Sequence, residues 1–528
     1  MRRGRQLLWL GACAVLAAWA PAARGGEQTA AQGRPAAPQQ PAAGGGARVL
    51  ALTLKEAVLR AIRNNPDADI ARLDVAAAYA GIEEAWGSFD PALFLGTSGG
   101  RNRDPSFSAP IPGTDITVTG LPPGLRVDPS DSFAWNGGVR WQSLIGTGIE
   151  LRYDYGWRTT ASRFFLDPAV RPSFTASVRQ PLLRNFGLDV NKTFVTVARH
   201  NHAMARAQLE AALVQLAFEV EQAYWTYLGA RETEKVAEQA LRTARELLER
   251  AEAQLRAGAA IPLDVLQARV GVATREEELI RARNDAANAA DALLRLITAP
   301  GQHRAWDVRV VALDAPRIDP EPLDVNALIA DALGRRPELQ ALQTAIAAET
   351  ARRELADNQR LPSVDLVASW TQLGLGDSHH NAHEALFTGE FYRWSVGLEV
   401  EVPIFNLAAR GAAEAAQARV RRAERQRDSL EQVVVLEVRT AARDIAAARE
   451  RVRSARLSVE LAEQQLEAEQ VRLRHGAATN FDVLEKEEAL SAARRLEIAA
   501  RIDHALAKAR LLRARGRTLE QLAIDVEP

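Results

Sequence analysis

The 528-residue chain contains one cysteine, Cys13, and two methionines. Removal of a leader ending near residue 23 leaves no cysteine, which excludes disulfides and thiol chemistry. Net charge is missing too: 66 Lys and Arg stand against 67 Asp and Glu, which argues against a nucleic-acid partner. Aromatic residues make up only 6%, and the ten tryptophans are unevenly placed. Past the N-terminus no run of about 18 apolar residues occurs, so no permanent membrane helix is expected. Phosphate-cradling glycine loops and HExxH are absent, and no nucleophile, base and orienting acid can be assembled from helical surfaces. The chain reads as neither an enzyme nor a holder of a cofactor or metal.

What is present begins with an export signal over residues 1–23. Arg2, Arg3 and Arg5 form its positive region, Leu7 to Ala18 its apolar stretch, and Ala20, Ala22 and Ala23 a cleavage site. Leu10-Gly11-Ala12-Cys13 resembles a bacterial lipoprotein box, which would leave Cys13 lipidated. The apolar stretch before Cys13 is very short and continues to Ala18, which favours ordinary cleavage near Ala22 or Ala23. Residues 24–49 are Ala, Gly, Pro and Gln with almost no large apolar side chain; they cannot build a core and read as a disordered linker.

A repeat organises the rest. LRAGAAIPLDVL from Leu255 to Leu266 recurs as LRHGAATNFDVL from Leu473 to Leu484, with eight of twelve positions identical at an offset of 218. The offset continues to Leu293-Leu294-Arg295, matched by Leu511-Leu512-Arg513. So long a period excludes a short-unit solenoid and implies an internal duplication. Asn65-Pro66-Asp67 and Pro91 match Arg336-Pro337-Glu338 and Pro362 at 271, while Pro181 matches Pro403 at 222. The first strand region is therefore 49 residues the longer. The expected first repeat, 50–299, runs helix 52–88, strands 91–181, long helix 188–257 and return helix 262–298. After a linker over 300–322, the second, 323–516, runs helix 323–360, strands 362–403, long helix 407–475 and return helix 480–515, followed by a tail over 517–528.

Neither long helix contains proline, and each is on the order of 100 Å long at ~1.5 Å per residue. Apolar residues recur at three- and four-residue spacing, as in Leu209, Leu213, Leu216 and Val220 or Leu457, Leu461 and Leu466, which calls for side-by-side coiled-coil packing. The strands have period two. Ile149, Leu151, Tyr153, Tyr155 and Trp157 alternate with Glu150, Arg152, Asp154, Gly156 and Arg158; Tyr392, Trp394, Val396, Leu398, Val400 and Val402 do the same, as do Phe133, Trp135, Val139 and Trp141. Aromatics on one face and charges on the other are the signature of a transmembrane β-barrel, though a half-solvated strand of a soluble sandwich alternates likewise. An extra hairpin around Gly146-Thr147-Gly148 implies four strands in the first half and two in the second, and leaves open whether all join one barrel. His379, His380 and His383 fall in an expected outer loop, where metal binding is not favoured.

The signal, the doubled order of elements, the Gly…Asp-Val-Leu turns and the GlnPro and ValPro exits from the strands together resemble TolC-like outer-membrane efflux proteins, from Leu52 to about Arg515. The resemblance implies an α+β membrane protein: a homotrimer whose long antiparallel helices form a periplasmic coiled-coil barrel and whose strands share one outer-membrane β-barrel in lipid. It implies a passive exit duct whose tunnel end meets a periplasmic adaptor and an inner-membrane pump. Leu255, Arg256, Gly258, Ala259, Leu473, Arg474, Gly476 and Ala477 are then the adaptor-contact candidates. Gly258 and Gly476 suit a left-handed helix end. Asp482 and Glu485 match the acidic constriction positions, with Asp264 as the first-half counterpart; Glu485 stands for aspartate, and Ala478 takes the place of the pore-closing arginine. Asp264 and Asp482 also suit plain capping of the return helices. The rival reading is a periplasmic coiled-coil scaffold without a channel.

Overall fold

The computed structural model describes residues 48–103, 105–107, 125–127, 130–160, 166–258, 261–318, 323–475 and 477–524. Cys13, the expected signal, and the linker up to residue 47 lie outside the described residues, as do Ala259 and Gly476. The account below concerns the unit Leu50–Pro528 and the strand that leads into it.

Prolines subdivide the helices that the apolar pattern suggested were continuous. The strand β1 (Arg48–Leu52) leads into α1 (Leu54–Asn64), capped reciprocally by Thr53 and Glu56. Asn65 is extended, ends α1 and caps α2 (Pro66–Trp86), accepting the Asp67 amide at 2.8 Å. A residue before proline is pushed out of the helical region, so the single helix expected over 52–88 becomes two. Arg336, likewise extended before a proline but making no side-chain cap, separates α6 (Val325–Arg335) from α7 (Pro337–Asn358) and divides the helix expected over 323–360.

Six strands form one antiparallel sheet. In chain order they are β2 (Ala92–Asn102), β5 (Ser130–Gln142), β6 (Gly148–Arg158), β7 (Ala169–Pro181), β9 (Ser363–Leu373) and β10 (Tyr392–Glu401). Their order in space is β10-β9-β7-β6-β5-β2, so the extra hairpin β5–β6 lies within the sheet and both outer strands keep an open edge. A short pair, β3 (Pro105–Phe107) with β4 (Leu125–Val127), stands apart from it.

Two left-handed asparagines, Asn185 (φ 66°) and Asn406 (φ 47°), turn the chain out of the strands. This residue tolerates that conformation better than most. Both are tied to the C-terminal end of the second-half helix that closes at Asn358: the Asn185 amide donates to Asn358 Oδ1 at 2.8 Å, and Asn406 Nδ2 to the Arg360 carbonyl at 2.9 Å. After a single turn, α3 (Leu188–Asn191), the helix α4 (Thr193–Arg256) runs 64 residues and α5 (Pro262–Ile297) returns along it. In the second half α9 (Leu407–Arg474) runs 68 residues and α10 (Asn480–Ala514) returns. The ion pairs Glu238–Arg283, Arg245–Glu276 and Glu252–Arg269 fix the antiparallel sense, since each step along α4 is an equal step back along α5.

α4 is central to both helical layers. Next to the sheet the neighbours run α2-α4-α7-α9; toward the far end they run α5-α4-α10-α9. Edge helices have one bare flank. That is why Leu457 and Leu461, 55% and 49% exposed, do not enter the core with Leu209, Leu213, Leu216 and Val220.

The core sits where the two layers exchange. Leu52, Val58, Leu213, Val220, Tyr224, Leu293 and Leu294 cluster there, beside a second group around Leu328, Val434, Val438 and Leu511. The stretch expected to be a plain linker over 300–322 contributes a 3-10 turn (His303–Trp306) and β8 (Val308–Ala312). Beyond β8 the Leu313 amide bonds to the Leu52 carbonyl at 3.1 Å. Tyr224 closes this corner: its hydroxyl donates to the Leu52 carbonyl and accepts the Leu313 and Asp314 amides, all at 3.1 Å. Burial pushes its pKa up to about 12, so the donor is retained across the working pH range. The expected tail begins with a short helix, α11 (Thr518–Gln521), whose Leu519 enters the same core.

Candidate functional site: the helical tips and the two-faced sheet

At the first tip α4 ends at Arg256, and Gly258 takes the left-handed conformation (φ 73°) with its amide bonded to the Leu255 carbonyl at 3.1 Å. A Cβ there would meet nothing within 4 Å, so glycine is required by the backbone and not by space. Pro262 occupies the first position of α5, and the Asp264 carboxylate accepts the Ile261 amide at 3.1 Å. Ile261 offers no side-chain acceptor in return, so the cap is one-sided. Leu255 is half-buried against Ala251, Val265 and Ala268, while Arg256 and Gly258 are exposed.

The second tip is more heavily bonded. Thr479 Oγ1 accepts the Asp482 amide at 3.3 Å, and Asp482 Oδ2 accepts both the amide and the hydroxyl of Thr479 at 2.8 Å. Those bonds, the backbone one first, hold the Asp482 carboxyl below the usual carboxylate range. Arg472 pairs with Glu469 at 3.0 Å and donates to the Ala477 carbonyl at 3.1 Å, clamping the turn. Leu473 packs on a larger cluster of Leu247, Leu466, Val483 and Leu490; Arg474 and Ala477 are exposed. Glu485 is exposed and sits 2.9 Å from Lys486, whereas the first-half counterpart is Gln267. Asn480 Nδ2 reaches Gln254 Oε1 at 3.4 Å, joining the two tips. The structure thus places both aspartates as helix caps.

The sheet separates two chemistries. Registered pairing puts Leu93, Val139, Leu151, Ala176, Trp370 and Trp394 on one face and Arg140, Arg152, Arg179, Asp365 and Glu399 on the other. The polar face is knitted by ion pairs: Arg152 lies 2.8 Å from Asp154, and Arg179 bridges Asp365 and Glu399. On the apolar face Leu93 is 76% and Trp394 66% exposed, and Ile404 and Phe405, just past the last strand, are exposed as well. Among the described residues no helix is long and apolar enough to cross a membrane.

The histidines expected in a loop lie on a helix, α8 (His379–Phe387), capped by Ser378. Ala382 and Leu386 are buried beneath it, Ala382 against Tyr155 and Val170. His383 bonds the Tyr153 hydroxyl at 2.7 Å and His379 that of Tyr155, so these two imidazoles face phenols; His380 is exposed. The missed signal is short: a serine cap, then apolar Ala382 and Leu386 one turn apart.

The sequence profile described as Outer membrane efflux protein matches residues 149–299 and 328–517. No curated protein matches the chain. Solved structures do. The outer-membrane channel OprN superposes with a TM-score of 0.64 at 19% identity, covering 88% of this chain and 89% of that one. CusC, described through transmembrane channel formation, gives 0.64 at 18%, covering 92% and 98%. The outer membrane protein VceC from Vibrio cholerae gives 0.61 at 19%, covering 88% and 96%.

Proposed function

The chain belongs to the outer membrane efflux protein family, and we propose that it is the exit duct of a multi-component efflux or secretion system. It lies in the outer membrane with a large periplasmic helical portion. In this reading it conducts substrates passively, receiving them from an inner-membrane pump through a periplasmic adaptor. The observation that carries the reading is where the chain is left unpartnered. β2 and β10 have open edges, and the flanking helices expose Leu266, Val270 and Ile280 on α5 and Leu436, Leu457 and Leu461 on α9. Bare apolar flanks at both ends of each layer fit a closed ring of identical copies, and three copies is the homotrimer we propose. The apolar sheet face, apart from the Trp135, Tyr153 and Tyr155 patch that α8 covers, then meets lipid, and the polar face lines the lumen.

The tips supply the periplasmic end. Leu255, Arg256, Gly258, Ala259, Leu473, Arg474, Gly476 and Ala477 dock the adaptor, while Asp482, Glu485 and Asp264 ring the entrance. Two measurements test this. Single cysteines at Ala259 or Ala477 crosslink in cells to a periplasmic adaptor; an outer-membrane trimer capturing none removes the docking assignment. A protein that fractionates as soluble monomer or dimer instead supports the scaffold. Asp482→Ala with Glu485→Ala raises single-channel conductance and weakens block by trivalent cations. Unchanged block removes the constriction.

A further inference from the structure

We propose that every copy contributes six strands to the outer-membrane ring, so that three copies close a barrel of eighteen. The inference rests on the trimeric duct proposed above. The second half of the chain supplies two strands, and a first half built alike would give four per copy. The inserted hairpin β5–β6 is what changes the number; three observations place it in the wall, and the parity of the strands, which an even count of four shares, is consistent with it.

First, its ladders are complete. β2 pairs with β5, β5 with β6 and β6 with β7 over eleven residues each, against ten for β9 with β10. Expelling the hairpin breaks two full ladders and strips β2 of its observed partner. Second, the hairpin carries the same two faces as its neighbours. Trp135, Val139, Trp141, Ile149 and Leu151 continue the apolar face, and Arg140, Glu150 and Arg152 the polar one. A hairpin lying outside a barrel has no reason to keep that division.

The parity is consistent as well. Six antiparallel strands leave β2 and β10 running in opposite directions, with eleven and ten residues, so β10 of one copy meets β2 of the next as an ordinary antiparallel pair. Third, the widths agree. The sheet-side layer α2-α4-α7-α9 is about 32–40 Å across at ~8–10 Å per helix. Six strands ~4.8 Å apart and tilted ~35–45° span about 35–41 Å, whereas four span only about 23–27 Å. Six strands meet four helices without a taper. The ring they close is about half again as wide as a four-strand version, in the range where barrels hold an open aqueous channel.

Imaging of the full-length protein in lipid nanodiscs tests the count. Eighteen strands are expected, with β5 and β6 in the wall; a twelve-stranded ring with the hairpin outside overturns the inference while leaving the duct intact. Absence of any ring sinks the duct reading itself, and this inference with it. Disulfide mapping of the membrane-embedded assembly gives an independent answer. Ser98→Cys with Ala134→Cys, which are registered partners, forms a bond within one copy. Ser98→Cys with Ser177→Cys forms none, because two strands stand between β2 and β7. A bond between Ser98 and Ser177 overturns the proposal.

Discussion

The two tips share eight of twelve residues and are held together differently. At the first, a proline and a one-sided aspartate cap start α5, over a small core of Ala251, Val265 and Ala268. At the second, Thr479 and Asp482 bond reciprocally, Arg472 clamps the turn, and four larger side chains pack beneath. Proline achieves by covalent geometry what threonine achieves by hydrogen bonding, since it fixes the first helical φ and needs no amide partner. The retained Asp264 and Asp482 therefore each cap a return helix, and the variable residues decide how tightly its start is held. The contrast ranks the second tip as the more rigid of the two.

The largest expected break in that ranking comes from the cores. Leu490→Ala costs about 2–5 kcal/mol of local stability at the second tip. Val265→Ala, removing two methylene-sized groups at the first, costs roughly 1.5 kcal/mol. Hydrogen exchange of the flanking amides reads both, and equal losses erase the distinction. The caps come next. Thr479→Ala loses about 1 kcal/mol, while Ile261→Thr supplies the missing acceptor and gains about 0.5–1 kcal/mol at the first tip. A neutral Ile261→Thr shows that Pro262 already saturates the turn. The smallest effect is set by pH. The Asp482 carboxyl titrates below its unfolded value because it is bonded to Thr479, so its contribution is complete above pH ~4 and is lost as pH falls through the lower folded value. Protection of the first α10 amides declines in acid over that window; a decline already present at pH 6 contradicts the cap.

Much of this was legible because period and punctuation are local. Alternation in Ile149 to Trp157 needed only its own residues, and Gly258 announced a left-handed helix end. Asn65-Pro66 and Arg336-Pro337 also carried their message, an extended residue before proline, which the apolar pattern obscured. What stayed hidden depends on distant partners. Nothing near Leu313 says that its amide meets Leu52, some 260 residues away. Nothing near Leu457 says that its helix lies at an edge. At the candidate site, residue types pointed to capping, whereas the ties from Asn480 to Gln254 and from Arg472 to Ala477 needed coordinates.

The central position of α4 has a kinetic corollary. Pairings within each half are short-range: β2, β5, β6 and β7 follow one another as a meander, and each long helix meets its own return helix. The halves join chiefly along one seam, where β9 adds to β7 and where α7 and α10 settle against α4. Contacts close in sequence form quickly and distant ones slowly, so each half condenses early and the docking of the second onto α4 and β7 is the slow step. Until that step the β7 edge is an unpaired, sticky margin.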